Sequence, residues 1–381
     1  MMKVAIVVIG YNRSASMERL LKSLAGASFN GFEDVPLIIS LDKSDDHSVK
    51  KVAQRFDWPF GKKEIIHHKS RLGLRQHVLS CGDLSFDYDG VIVLEDDLMV
   101  SPIFYSYAVA ALYAYRNSEL IGGVSLYNYR YVDAIGFPFL PLLANGDIYF
   151  VKFPSSWGQA WTTGQWKAFR CWLDSGRDDE CVDLDLKLPK PVISWPPSSW
   201  KKSFARYLID ANKYIAYPNA SLTTNMGEPG QHWARGTDVA QAPIQYGSKK
   251  FVFADPMAAV SYDQFFELER RSFEALAVTN YISSDIEFDL YGQKPIALIK
   301  DKLVVSSKQT KAKLRSFGCK MLPHELNIAY DIKGEDFRLG KGSFFLPTSN
   351  RIRYRILQHH TSFIGGSDHA ILLAKILSKR L

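Results

Sequence analysis

Along its first hundred residues the chain alternates between short, unbroken apolar runs and stretches with helical spacing. Residues 4–9 are apolar throughout and predict a strand buried on both faces. Residues 14–24 set Leu20, Leu21 and Leu24 on one side of a helix. Residues 37–41 predict a second strand, followed by the polar turn Asp42-Lys43-Ser44-Asp45-Asp46 and a helix over about 47–56. A short strand at 64–67, the start of a helix at 74–79 and an apolar strand at 90–94 complete four strand–helix units. Strands without alternation, separated by helices, belong to a parallel sheet covered on both faces, so the fold class is α/β with a doubly wound, mostly parallel sheet.

The pattern continues with an aromatic-rich helix over 101–115 and a strand over 122–126. Residues 127–197 are dense in Trp, Pro, Gly and Asp and read as many short elements. A helix around 202–212 and a run at 215–218 follow. Beyond about residue 251 the strand–helix alternation stops. The expected division is therefore a catalytic domain over 1–255 and a C-terminal extension or small domain over 256–381.

In an open α/β sheet ligands bind beyond the carboxyl ends of the strands, so the polar residues after each apolar run deserve the first look. These are Tyr11-Asn12-Arg13 after the first strand, Asp42 after the second and Glu95-Asp96-Asp97 after the fourth. Carboxylates at a strand end can hold a hard divalent cation that also takes phosphate oxygens, which suits chemistry with a diphosphate leaving group.

Charge and cysteine content narrow the picture further. The net charge of +7 is modest for 381 residues and gives no specific argument for nucleic acid. Most of it collects in residues 351–381, where Arg351, Arg353, Arg355, Lys375, Lys379 and Arg380 face Asp368 alone. Residues 371–380 read as a short helix with an apolar stripe and a basic face, which predicts peripheral contact with an anionic membrane or docking on the domain. Four cysteines, Cys81, Cys171, Cys181 and Cys319, show neither disulfide-scaffold nor zinc spacing and fit a reducing compartment. The first apolar run is too short for a signal peptide, and about 18 consecutive apolar residues occur nowhere, so a cytoplasmic location is expected.

The block Val91-Ile92-Val93-Leu94-Glu95-Asp96-Asp97-Leu98 followed by Ser101-Pro102 and an aromatic run resembles the metal-binding strand and helix of N-acetylglucosaminyltransferase I and related inverting GT-A glycosyltransferases. Arg13, Ser40-Leu41-Asp42 and His77 extend the resemblance, which covers residues 3–126 well and continues more loosely to about 235. It implies a GT-A, Rossmann-like domain that binds a nucleotide-sugar donor, with UDP expected. It assigns Arg13, Asp42 and His77 to the nucleotide, Asp97 to Mn2+ or Mg2+, and Glu95 and Asp96 to sugar and ribose. The segment 214–232, with Gly230-Gln231-His232, resembles the end of the catalytic domain in bacterial glycosyltransferases of surface-polysaccharide pathways, and His232 becomes a second candidate for metal or diphosphate. A glycan or lipid-linked acceptor is implied in the same way.

The resemblance fails where the family carries its base, because Ser198-Ser199-Trp200-Lys201-Lys202 holds no carboxylate. An inverting transfer needs a base for the acceptor hydroxyl, so Asp210 and Glu228 become candidates, and Lys201 a candidate for phosphate or an acidic acceptor. Trp157 and Trp161 suit either a sugar face or the core, and the Asp-rich run 174–185 reads as a solvated loop. Two other functions remain open. A sugar nucleotidyltransferase would want a Gly-rich loop, whereas Gly10-Tyr11-Asn12-Arg13 has one glycine. A non-catalytic carbohydrate-binding protein could retain the same fold.

Overall fold

The computed structural model describes residues 2–179, 182–229, 236, 238–276 and 286–346. They fall into two compact units, one running to Arg130 and resuming over Pro141–Phe266, the other comprising Tyr131–Leu140 and the chain from Glu267 onward.

The first unit opens with β1 (Val4–Gly10), α1 (Ser14–Ala25), β2 (Leu37–Leu41), α2 (Ser48–Arg55), β3 (Lys63–His67), α3 (Gly73–Asp83) and β4 (Gly90–Glu95). All seven residues of β1 and all five of β2 are buried, as their unbroken apolar runs require. The helix α1 turns Met17, Leu20, Leu21 and Leu24 onto the sheet. After β4 come β5 (Leu98–Val100), α4 (Phe104–Tyr115) and β6 (Ile121–Ser125). The Tyr131–Leu140 excursion carries the two-residue strands β7 (Tyr131–Val132) and β8 (Phe137–Pro138).

Residues 127–197, which the sequence pattern resolves poorly, contain β9 (Ile148–Val151), β10 (Gln159–Thr162), α5 (Thr163–Asp174), α6 (Val182–Asp185) and α7 (Lys190–Ile193). They are followed by α8 (Trp200–Asp210), β11 (Tyr214–Pro218), β12 (Thr223–Asn225) and β13 (Ser261–Tyr262). Nine strands form one sheet in the order β13-β9-β11-β6-β10-β4-β1-β2-β3. Five of its eight pairings are parallel, so the sheet is mostly parallel, as predicted. The unforeseen feature is β10, which runs antiparallel between β4 and β6 in the middle of the sheet. Its residues Gln159-Ala160-Trp161-Thr162 are all buried. Trp161 is core and not a sugar platform: its ring packs on Trp166, Trp200 and Phe204 with no surface exposed.

Two glycines show why α3 takes its place. Gly73 begins the helix at φ +73°, a conformation that L side chains rarely adopt. Further along, a Cβ on Gly82 would lie 2.1 Å from the Trp166 ring, so only glycine lets α3 approach α5 that closely.

The second unit adds α9 (Arg270–Glu274), β14 (Ile286–Asp289), α10 (Ile296–Ile299), β15 (Leu303–Ser306), β16 (Arg315–Phe317), α11 (Glu325–Ala329) and β17 (Phe337–Lys341). Its sheet has the order β14-β15-β17-β16, with β14 and β15 parallel. Asp289, fully buried, accepts the Lys294 N–H at 2.8 Å and the Ser306 hydroxyl at 3.0 Å and pairs with Lys308 at 2.8 Å. Among the described residues no helix is long and apolar enough to cross a membrane. The predicted basic tail at 351–381 and His232 lie outside the described residues.

Candidate functional site

Because β1, β2, β3 and β4 are parallel, the residues that follow them share one edge of the sheet. The register sets Ile9 beside Glu95, which brings Tyr11-Asn12-Arg13 next to the acidic triplet. Arg13 occupies the N-cap position of α1 without capping it. Its guanidinium crosses to the acids instead: Nε donates to Asp96 Oδ2 at 3.4 Å, and Nη1 and Nη2 donate to Asp97 Oδ2 at 3.2 Å. Nη2 also donates to Asp96 Oδ1.

Three carboxylates in succession at a half-buried strand end repel one another. Burial pushes the Glu95 carboxyl up to about 8, with Asp97 and then Asp96 adding to the rise and Arg13 and Lys201 opposing it. Asp96, 4% exposed, is raised to about 6 by burial although Arg13 pulls it down. Asp97 differs from both in carrying a buried Oδ1 that has no hydrogen-bond partner. Such an orphaned anionic oxygen calls for a ligand. Among the described residues no group of three or more His, Cys, Asp or Glu side chains converges as a cation cage. A hard cation that takes most of its oxygens from phosphate and water needs only one or two protein carboxylates, so Asp97 Oδ1 fits that role.

The short pairing of β12 with β5 brings a fourth acid to this place, since the Met226 N–H donates to the Asp97 carbonyl at 2.9 Å. Two residues on, Glu228 accepts from Arg19 Nη1 at 2.7 Å and Nη2 at 2.6 Å, and from the Ser16 hydroxyl. The Arg19 hydrogen bonds hold its carboxyl below the usual range, with Ser16 adding to the effect. Ser16 and Arg19 are not among the residues that directly follow the strands; the sequence signal for them is their spacing of three, which puts both on one face of α1.

Asp42 and His77 join the same edge but face inward. Asp42, 5% exposed, accepts the backbone N–H of Lys43 at 2.8 Å, Leu72 at 2.8 Å and Gly73 at 3.0 Å, so its carboxylate anchors the start of α3. His77, 2% exposed, lies 2.8 Å from the Ser40 hydroxyl, which also lies 3.2 Å from His68 Nε2. Burial lowers the His77 pKa to about 4, leaving a neutral ring. Closer to solvent, the Arg71 guanidinium stacks 3.8 Å above the Tyr11 ring.

Asp210 lies elsewhere. It ends α8, four residues before β11 begins, and β11 is parallel to β6, so Asp210 belongs to the edge where the parallel strands start. There it accepts from Trp172 Nε1 at 2.7 Å and Arg177 at 3.3 Å. The structure therefore does not bring Asp210 to the triplet. The opposite end of α8 carries Lys201, whose ammonium lies 5.0 Å from the Trp195 ring centre, 5.2 Å from Phe153 and 5.8 Å from Trp157. The Asp-rich run is only partly solvated: Asp178 accepts from Arg75 at 3.0 Å, Arg206 at 3.0 Å and Ser203 at 2.6 Å, tying α3 to α8.

No family model matches the chain. No curated protein sequence matches it either. Among solved structures the chain is similar to the mannosyltransferase PcManGT from Pyrobaculum calidifontis in complex with GDP-Man and Mn2+, at 11% identity and a TM-score of 0.36 over 61% of this chain and 59% of that one. It is similar to S. aureus TarS 1-349 in complex with UDP-GlcNAc, at 14% identity and a TM-score of 0.39 over 61% and 60%. A third similarity is to GalNAc-T7 with UDP, GalNAc and Mn2+, at 14% identity and a TM-score of 0.41 over 63% and 46%. The chain thus spans about three fifths or less of these proteins.

Proposed function

We propose that the protein is a metal-dependent glycosyltransferase of the GT-A type that moves a sugar from a nucleotide-diphosphate donor to a glycan or lipid-linked acceptor. The observation that carries this reading is the meeting, at the carboxyl edge of a mostly parallel sheet, of Arg13 with Asp96 and Asp97, the last with a buried oxygen lacking a partner. The sequence resemblance of the Val91–Leu98 block supports the same chemistry and favours a UDP-sugar and an inverting transfer.

In this reading Asp97 would hold Mn2+ or Mg2+ beside the donor diphosphate. Held there, such an ion would supply positive charge to offset what develops on the leaving diphosphate. Arg13 supplies a second, fixed positive charge to the diphosphate, and Glu95 and Asp96 bind sugar and ribose hydroxyls. The acceptor hydroxyl must lose a proton during in-line attack. Glu228 is the candidate base at this edge, and it must first leave Arg19, whose two hydrogen bonds hold it as a weak base. Asp42 and His77 act behind the donor site by fixing α3.

The test is donor hydrolysis and calorimetric binding with a panel of UDP- and GDP-sugars, with Mn2+ and with chelator. Metal-dependent binding of at least one donor is expected, and Asp97→Ala should abolish the metal dependence while circular dichroism stays unchanged. Absence of binding across the panel overturns the reading. Binding without any turnover on acceptor panels would favour a carbohydrate-binding protein that retains the fold, a reading consistent with the engagement of Glu228 and the distant placement of Asp210.

A further inference from the structure

We propose that Arg13 makes cation binding at Asp97 conditional on the diphosphate, so that metal and nucleotide enter the site together and metal alone is excluded. The inference rests on the reading of this edge as a nucleotide-diphosphate site. Its basis is the number of acid oxygens that the guanidinium already engages. Arg13 donates to both oxygens of Asp96 and to Oδ2 of Asp97, three of the four available on that pair. The fourth, Asp97 Oδ1, is buried and without a partner.

A divalent cation on that fourth oxygen would sit beside a guanidinium whose side chain is 26% exposed, where water screens the like charges poorly. Hard cations of this size also demand about six oxygens, and Arg13 already engages three of the four carboxylate oxygens of Asp96 and Asp97 that could supply them. Both obstacles disappear when a diphosphate arrives. Its oxygens complete the cation's shell, and its negative charge offers the guanidinium a bidentate partner in place of Asp96 and Asp97. Arg13, at the N-cap of α1, is the arginine that touches Asp97, whereas Arg19, further along the helix, pairs with Glu228.

The experiment measures Mn2+ retained by the full chain on ultrafiltration, with free Mn2+ read by electron paramagnetic resonance, in the absence and presence of UDP or GDP. Wild type is expected to retain Mn2+ only with nucleotide. Arg13→Met is expected to retain Mn2+ alone, with a Kd at least ten-fold lower than wild type, and to lose most of the enhancement by nucleotide. Arg13→Lys, which keeps the charge but not the fork, should fall between them and carries the test should Arg13→Met not fold. Equal nucleotide-free Kd values in wild type and both variants, with the nucleotide enhancement intact, would overturn the inference and leave the diphosphate site standing. Failure of every form to retain Mn2+ with either nucleotide would overturn both.

Discussion

At the scale of single residues the triplet after β4 is an arrangement that opposes stability. Glu95 holds its proton up to about 8 because burial and two neighbouring acids disfavour its charge. An acid with a folded pKa raised above its unfolded value of about 4.5 binds its proton more tightly in the native state. Its stabilising contribution is complete below the unfolded value and is lost as pH rises through the folded one. Glu95→Gln, which mimics the protonated acid, should therefore match wild type at pH 4 and exceed it at pH 9 by roughly 5 kcal/mol. Urea melts across that range check the difference, and a parallel gain at pH 4 would remove the charge explanation. Strongly shifted acids gather at functional sites, which agrees with a ligand role for this triplet.

At the scale of elements, α3 is held by two buried polar side chains that join it to β2. Replacing Asp42 with Ala removes the acceptor of three backbone N–H groups and should cost about 2–4 kcal/mol in urea melts. Donor affinity should change less than ten-fold, whereas a direct ligand role would weaken nucleotide binding without this loss of stability. His77 adds a pH dependence of known sign. Its folded pKa of about 4 lies below the unfolded value near 6.5, so the unfolded chain takes up the proton first. Its contribution is full above the unfolded value and is lost as pH falls through 4, a difference of roughly 3 kcal/mol. In His77→Gln the slope of stability between pH 6.5 and 4 should flatten, and a slope equal to wild type would show that other groups cause it.

At the scale of the whole molecule, the residues of the candidate site belong to the first unit, while the second has its own four-stranded sheet and its own buried ion pair. Removing one partner of a buried pair leaves an uncompensated charge and costs about 3–5 kcal/mol. Asp289→Ala should lower a calorimetric transition accordingly while the affinity for donor with Mn2+ stays within two-fold. A large loss of affinity would mean that the second unit contributes to the site.

The sequence by itself determined the order of strands and helices over residues 4–126, apart from the short β5. The strands β1, β2 and β4 are buried on both faces and so must be apolar nearly throughout, and the helices must show one apolar face, which makes both legible over this stretch. It also singled out Arg13 and Glu95-Asp96-Asp97, because parallel strands send the residues after them to one edge. What only the tertiary structure decided is which polar groups face the ligand and which face the protein. Asp42 follows β2 as Asp97 follows β4, yet the backbone N–H groups of Lys43, Leu72 and Gly73 claim Asp42, while Asp97 retains an oxygen with no partner. Asp210 and Glu228 looked alike as bases, and the direction of β11 sends one to the far edge while the pairing of β12 with β5 brings the other beside Asp97. The antiparallel β10 was equally hidden, because a buried strand is apolar whichever way it runs. Local pattern records burial, whereas strand direction and the partners of a buried carboxylate depend on residues far away in the chain.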